Sequence, residues 1–215
     1  MPIWKRSSYR SGCGFEDLQE QGSRHVSIAS SPTQTEMTVQ EFLSLPDDGI
    51  HRELIEGEVR KFGKTTRNAD HSEVEANFVF ELKLWLRTRP EPRGKVSCGE
   101  VAFRLDGTKA TLVGIDVAYA SAELVAKRVP AKTFYDGPPV LAVEILSPSD
   151  THQDMVDMIR LYLHHGVVLW VADSDLHSVA VHRVGHPSET LNETQELIGD
   201  PYLPGFRVPV ARLFE

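Results

Sequence analysis

The stretch PPVLAVEIL, residues 138–146, is a predicted central strand of the sheet. It is almost continuously apolar, as expected for a strand that is buried on both faces of a sheet. Its one charged residue is Glu144, which has apolar neighbours on both sides in the sequence. A carboxylate in such surroundings is costly to desolvate unless it is paired, protonated or bound to a metal. Glu144 is therefore the first candidate for a functional residue.

A second acid, Asp116, lies in the preceding predicted strand, LVGIDVAYAS (112–121). Strict alternation along this strand predicts one face with Gly114, Asp116 and Ala118 and another with Ile115, Val117 and Tyr119. The small residues on the first face leave room for a ligand beside the Asp116 carboxylate. Two acids on neighbouring strands can hold one Mg²⁺ ion, which prefers carboxylates, carbonyls and water. The alternative is that a nearby Arg or Lys neutralises each carboxylate.

The remaining patterns predict a mixed sheet with helices on its faces rather than a regular βαβ repeat. HRELIEGEVRKFG (51–63) has two short alternating runs around Gly57, which indicates a β-hairpin. Apolar residues recur at helical spacing from about Asp70 to the residue before Pro90, and again over residues 151–165. Further strands are predicted for VSCGEVAFRL (96–105), VVLWVAD (167–173) and SVAVHRV (178–184), and the tail PYLPGFRVPVARLFE (201–215) is predicted to pack as a closing segment.

The composition changes near Met37. Residues 1–36 are rich in Ser, Gly, Gln and charged residues and show no sustained hydrophobic periodicity, so they are predicted to be disordered. Thr38 followed by Glu41 fits a capping box, which is typical of a helix start. A chain of 215 residues is long enough for one domain with an appendage. We therefore expect an N-terminal extension over residues 1–36 and one folded domain over residues 37–215.

The composition also excludes several classes of protein. The 23 Lys and Arg residues against 31 Asp and Glu residues give a net charge of −8, which excludes a generally basic surface but not a local basic patch. No stretch approaches the roughly 18 consecutive apolar residues of a membrane helix, and the N-terminus lacks the apolar region of a signal peptide. The two cysteines, Cys13 and Cys98, form neither a disulfide framework nor a zinc-binding spacing. We expect a cytoplasmic protein.

Several motifs then occur in a fixed order. These are EFLSLP (41–46), RELIEGEV (52–59), His71 at a helix start, GIDVAYAS (114–121) and VEILSPSD (143–150), followed by Asp154, Tyr162, Gly166 and Trp170. Together they resemble the Uma family of restriction-endonuclease-like proteins within the PD-(D/E)XK nuclease superfamily. The resemblance covers about residues 37–215, and its strongest part is VEILSPSD with the residues that follow it.

This resemblance implies an α/β (α+β) fold, namely a restriction-endonuclease-like mixed sheet flanked by helices. It also implies that the protein hydrolyses DNA phosphodiester bonds with Mg²⁺ or Mn²⁺. It implies that Asp116 and Glu144 coordinate the metal, with the backbone carbonyl of Ile145 as a further ligand. Glu53 matches a recurrent acid near the site, and His71 matches a recurrent histidine at the start of the second helix. The partners implied are DNA and, as one option, a second copy in a homodimer, with no membrane involved.

The chain departs from the family pattern at the lysine. The superfamily often has a lysine two residues after the metal-binding Glu, where this chain has Leu146, and the Uma family usually has one four residues before Tyr162, where this chain has Met158. Lys61 and Lys64 are the nearest substitutes in the sequence. Two hypotheses follow: an endonuclease weakened by the missing lysine, or a catalytically inactive descendant that binds nucleic acid or a protein. Retention of the two acids favours the first, and loss of the lysine favours the second.

Overall fold

The computed structural model describes residues 36–46, 48–61, 69–105, 107–129, 132–148 and 150–215. The extension predicted to be disordered lies outside these residues except for Glu36, and its disorder stays a prediction. Lys64 also lies outside the described residues. The elements below all fall within the proposed domain of residues 37–215.

The helices in the described part are α1 (Val39–Leu43), α2 (Ala69–Arg87), α3 (Ala122–Ala126), α4 (His152–His164) and a 3₁₀ helix (Val210–Leu213). The strands are β1 (Arg52–Ile55), β2 (Glu58–Lys61), β3 (Lys95–Leu105), β4 (Thr111–Ala120), β5 (Tyr135–Asp136), β6 (Leu141–Ile145), β7 (Val168–Asp173), β8 (Ser178–His182), β9 (Glu189–Asn192), β10 (Glu196–Ile198) and β11 (Arg207–Pro209). Within the described ranges, no helix is both long enough and apolar enough to cross a membrane.

One mixed sheet contains strands β1 to β9. Its main order is β2-β1-β4-β6-β7-β8-β9, and β3 pairs with both β4 and β5. The β6–β7 and β3–β5 pairs are parallel and the other pairs are antiparallel. Strands β10 and β11 form a separate antiparallel pair. The predicted mixed sheet flanked by helices is confirmed.

Two apolar layers cover the two faces of the sheet. The first, here called the α2 layer, contains buried residues of α2 and of the C-terminal segment, such as Phe78, Trp85 and Phe206. The second, the α4 layer, contains Tyr162 of α4 and Leu124 of α3. The tail therefore packs in the core, as its sequence predicts, because its apolar residues complete the α2 layer.

Side-chain capping boxes begin two of the helices. The predicted capping box of α1 is confirmed, with Thr38 and Glu41 bonded to each other's backbone N–H groups, and Thr151 and Asp154 form the same motif at the start of α4. Such boxes satisfy N–H groups that the first helical turn leaves without partners.

The predicted hairpin around Gly57 is also confirmed as the β1–β2 pair. Its turn residues Glu56 and Gly57 have φ values of 51° and 82°, in the left-handed region that favours glycine. The Gly57 N–H donates to the carbonyl of Ala110 at 2.8 Å, and this bond joins the turn to the start of β4.

The predicted faces of β4 are wrong. Ile115 packs in the α4 layer whereas Val117 packs in the α2 layer, although strict alternation predicts one face for both. The change of face coincides with a β-bulge in β3 between Cys98, which is opposite Val117, and Val101, which is opposite Ile115, where the regular ladder with β4 is disrupted. Asp116 lies between Ile115 and Val117, where the side chains of β4 change faces.

Candidate active site

The central strand β4 has two partners along one of its edges, and the gap between them is the candidate site. Because β3 pairs with nearly the whole length of β4, β1 and β6 must share the opposite edge. β1 pairs with β4 at Leu112, whereas β6 pairs with it from Val117 to Tyr119. Residues 113–116 lie between these pairings, and we call this gap the fork.

Two carboxylates accept backbone hydrogen bonds in the fork. Glu53 Oε1 accepts from the N–H of Gly114 at 3.0 Å, and Asp116 Oδ2 accepts from the N–H of Ile145 at 3.0 Å. Buried backbone N–H groups need an acceptor, and at these two positions a side-chain oxygen provides one. The divergence of β1 from β6 therefore explains why acids can occupy the centre of the sheet.

Glu144 lies on the strand next to Asp116. The β4–β6 register, continued by one position, places the two residues opposite each other. The Tyr162 hydroxyl of α4 donates a short hydrogen bond to Glu144 Oε1. Asp116 Oδ2 instead lies 3.2 Å from His71 Nε2 of α2. The two acids are thus neighbours, but their contacts reach helices on opposite faces of the sheet.

His71, Glu75 and Asp116 form a group that could hold a metal ion, because one ligand atom from each lies within 4.8 Å of the other two. His71 and Glu75 are four residues apart on α2 and so share one helix face. The N–H of Gly99, in the β3 bulge, donates to Glu75 Oε1 at 2.8 Å and positions this carboxylate. An imidazole with two carboxylates suits a divalent cation such as Mn²⁺.

Glu100 brings another carboxylate to the fork from the β3 bulge. Gly99 and Glu100 have φ values of 81° and 58° there, so the chain turns out of the regular strand path. A Cβ atom on Gly114 would lie 2.7 Å from Glu100 Oε2. The space that the sequence predicts beside Gly114 therefore receives the carboxylate of Glu100.

The electrostatics of the fork disfavour the charged forms of two acids. Burial raises the pKa of Glu53 to about 8, and the negative charges of Glu100 and Asp116 contribute. The N–H of Gly114 and the charge of Arg60 act in the opposite direction.

Burial and the charge of Asp116 likewise raise the pKa of Glu144 well above its usual range, although the hydrogen bond from Tyr162 opposes this shift. Burial raises the pKa of Tyr162 too, and the negative charges of Glu144, Glu53 and Asp116 add to this shift. The Tyr162 hydroxyl therefore stays protonated and remains a hydrogen-bond donor. The acids of the fork therefore interact strongly with one another, and a cation among them would relieve their repulsion.

Four predicted site residues, Glu53, His71, Asp116 and Glu144, thus lie at the fork. Ile145 contributes its N–H to Asp116, and the role of its carbonyl as a metal ligand stays a prediction. A role of these residues in catalysis and metal binding is a proposal.

Sequence reasoning missed Glu75 and Glu100 as site residues. The four-residue spacing from His71 could have identified Glu75, and a glycine inside a predicted strand, here Gly99, often marks a bulge. The hydrogen bond between Tyr162 and Glu144 joins two elements and has no local signal in the sequence.

The two positions at which related nucleases carry a lysine have apolar surroundings in this chain. Leu146 and Met158 are half-buried and pack against the α4 layer. Lys61 is exposed at the end of β2, one residue beyond Arg60.

Comparison with known proteins agrees with this architecture. A solved structure from Anabaena variabilis ATCC 29413, described as a putative nuclease belonging to DUF820, superposes with a TM-score of 0.70 at 20% sequence identity. The match covers 83% of this chain and 97% of that one, and at this identity it establishes a shared fold. No curated protein matches the chain significantly. The family model Uma2, described as "Putative restriction endonuclease", matches residues 39–211, and the chain therefore belongs to the Uma2 family.

Proposed function

We propose that the protein is an endonuclease that hydrolyses DNA phosphodiester bonds with a divalent metal, Mg²⁺ or Mn²⁺, at the fork. The observation that carries this proposal is the convergence of carboxylates from β1, β3, β4 and β6 in a place where burial and mutual repulsion raise the pKa values of Glu53 and Glu144. Such a cluster is costly in a protein without a cation. Membership of the Uma2 family supports the same reaction.

The donor set fits a hard or borderline divalent cation. Asp116 would be shared between two groups of ligands, His71 and Glu75 from α2 on one side and Glu144 with the carbonyl of Ile145 on the other. A divalent cation in such a site polarises the scissile phosphate and lowers the pKa of bound water.

The protein's own groups would orient this chemistry. The Tyr162 hydroxyl holds the carboxylate of Glu144 in place, and the N–H of Ile145 does the same for Asp116. Burial raises the pKa of Glu53 to about 8, so this carboxyl would exchange a proton close to neutral pH and would assist as a general base.

A plasmid-nicking assay with Mg²⁺ or Mn²⁺ tests the proposal. We expect metal-dependent nicking that falls by about 100-fold or more in Asp116→Asn and in Glu144→Gln, since each removes a charge that the metal requires. Glu196→Gln is the matched control, because this carboxylate pairs with Arg207 on the separate β10–β11 sheet. Nicking that survives in both site variants would contradict the proposal.

The apolar packing of Leu146 and Met158 favours a second function, namely an inactive descendant that binds nucleic acid or a protein without cleaving. Intact plasmid with the wild-type protein, at metal concentrations that saturate the site, would support this alternative.

A further inference from the structure

Arg60 stands beside the fork on the β1–β2 hairpin. In the register of the hairpin, Arg60 lies directly opposite Glu53. Directly opposed residues of an antiparallel pair project from the same face. The guanidinium of Arg60 is therefore on the side of the hairpin from which Glu53 reaches the fork.

The same guanidinium extends to α4. Arg60 Nη1 lies 3.5 Å from Asp157 Oδ2, and the two side chains are 42% and 33% exposed. An ion pair this long and this exposed contributes little to stability. Arg60 can therefore exchange Asp157 for a phosphate at low cost.

The chemistry of this position suits a phosphate. An approaching phosphodiester is repelled by the acids of the fork, and a guanidinium offers two parallel N–H donors that match phosphate oxygens. Met158, next to Asp157 on α4, supplies no charge.

We propose that Arg60 binds a phosphate of the substrate strand next to the scissile bond. The identification of the ligand as nucleic acid rests on the proposed function. The position of Arg60 between Glu53 and Asp157 does not depend on it.

The test measures binding of a fluorescein-labelled DNA duplex by fluorescence anisotropy in EDTA, over a series of salt concentrations. We expect Arg60→Gln to weaken binding about tenfold and to lower the slope of log K against log salt by about 1, as for the loss of one phosphate contact. Arg60→Lys should keep the slope, because the lysine retains the charge, while it reduces kcat/KM for nicking because it loses the two-donor geometry.

Two matched variants separate this role from others. Asp157→Asn removes the protein partner of Arg60 but leaves the arginine, so we expect DNA binding that is equal to or tighter than that of the wild type. Lys127→Gln removes an exposed charge at the C-terminal end of α3, outside the fork and the β1–β2 hairpin, and should leave the slope unchanged. Melting temperatures of all variants show that they fold.

Wild-type affinity and slope in Arg60→Gln would overturn the inference. So would equal weakening in Asp157→Asn and Arg60→Gln, because that result indicates a structural ion pair only. Binding through Arg60 without any nicking would instead contradict the proposed function and leave only the phosphate contact of Arg60 standing. A wild-type protein that binds DNA neither in EDTA nor with Mn²⁺ would overturn both.

Discussion

Among single residues, Glu53 shows most plainly what the fork costs the protein. Its carboxylate accepts a hydrogen bond from Gly114, yet burial still raises its pKa from 4.5 to about 8. The folded state consequently binds a proton more tightly than the unfolded state does. By linkage, the free energy of unfolding falls as the pH rises between 4.5 and 8, and levels off above that range.

We expect Glu53→Gln to raise the melting temperature of the metal-free protein near pH 8, the value to which the pKa rises, and to make the loss of stability with rising pH shallower. The amide oxygen of glutamine can still accept from Gly114, so the variant removes the charge without removing the hydrogen bond. Each kcal/mol regained corresponds to about 2–4 °C in a protein of this size. Calorimetric scans in mildly acidic and mildly alkaline buffer check this result. Equal pH dependence in variant and wild type would show that Glu53 does not carry this cost.

For the helices that flank the fork, α4 carries the clearest prediction. Met158 and Tyr162 are four residues apart and share a helix face, and Tyr162 donates to Glu144. A charged group at position 158 would therefore lie near the acids of the fork. Met158 supplies length and polarizability but no charge and no proton.

We expect Met158→Lys to raise metal-dependent nicking, because an ammonium at this position can stabilise charge that develops on the phosphate. A gain of about 10²–10⁴ is the typical contribution of such a group. The plasmid assay of the proposed function measures it. His164→Lys, at the exposed C-terminal end of the same helix, controls for added charge. The absence of a gain, with metal binding intact, would show that the site lacks more than this one group.

Elements with strong periodicity were predictable from the sequence, and the exact placement of the site was not. The capping box at Thr38, the hairpin at Gly57 and the long helix α2 follow from local patterns, because local residues supply their stabilising contacts. The change of face in β4 coincides with the bulge at Gly99 and Glu100, which lies in another strand and is not visible in the sequence of β4 itself. Short pieces such as α3 and β5 carry too few residues to show a period.

In the candidate site, too, some features have a local signal in the sequence and others do not. The unusual burial of Glu144 and Asp116 was visible because a carboxylate in an apolar run needs an explanation. The contacts of these acids with His71 and Tyr162 depend on how two helices dock on opposite faces of the sheet, which no single segment encodes.

For the whole molecule, charge determines how a nucleic acid can approach. The net charge is −8, and the fork concentrates carboxylates at the centre of the sheet. An anionic substrate therefore needs local cations, and Arg60 with a bound metal would supply them. The homodimer stays a prediction, and α2 exposes Phe80 and Leu84, apolar residues of the kind that occur at protein interfaces.

Calorimetric titration of Mn²⁺ into the protein, in buffers of different ionisation enthalpy, measures whether the fork holds a divalent metal. We predict saturable binding that releases protons, because carboxylates with raised pKa values must lose them when the metal binds. Asp116→Asn should weaken binding by about 100-fold or more, since Asp116 contributes to both groups of ligands, and Glu196→Gln should bind as the wild type does. Equal Mn²⁺ affinity in Asp116→Asn and wild type, or no binding by the wild type, would contradict a metal site at the fork.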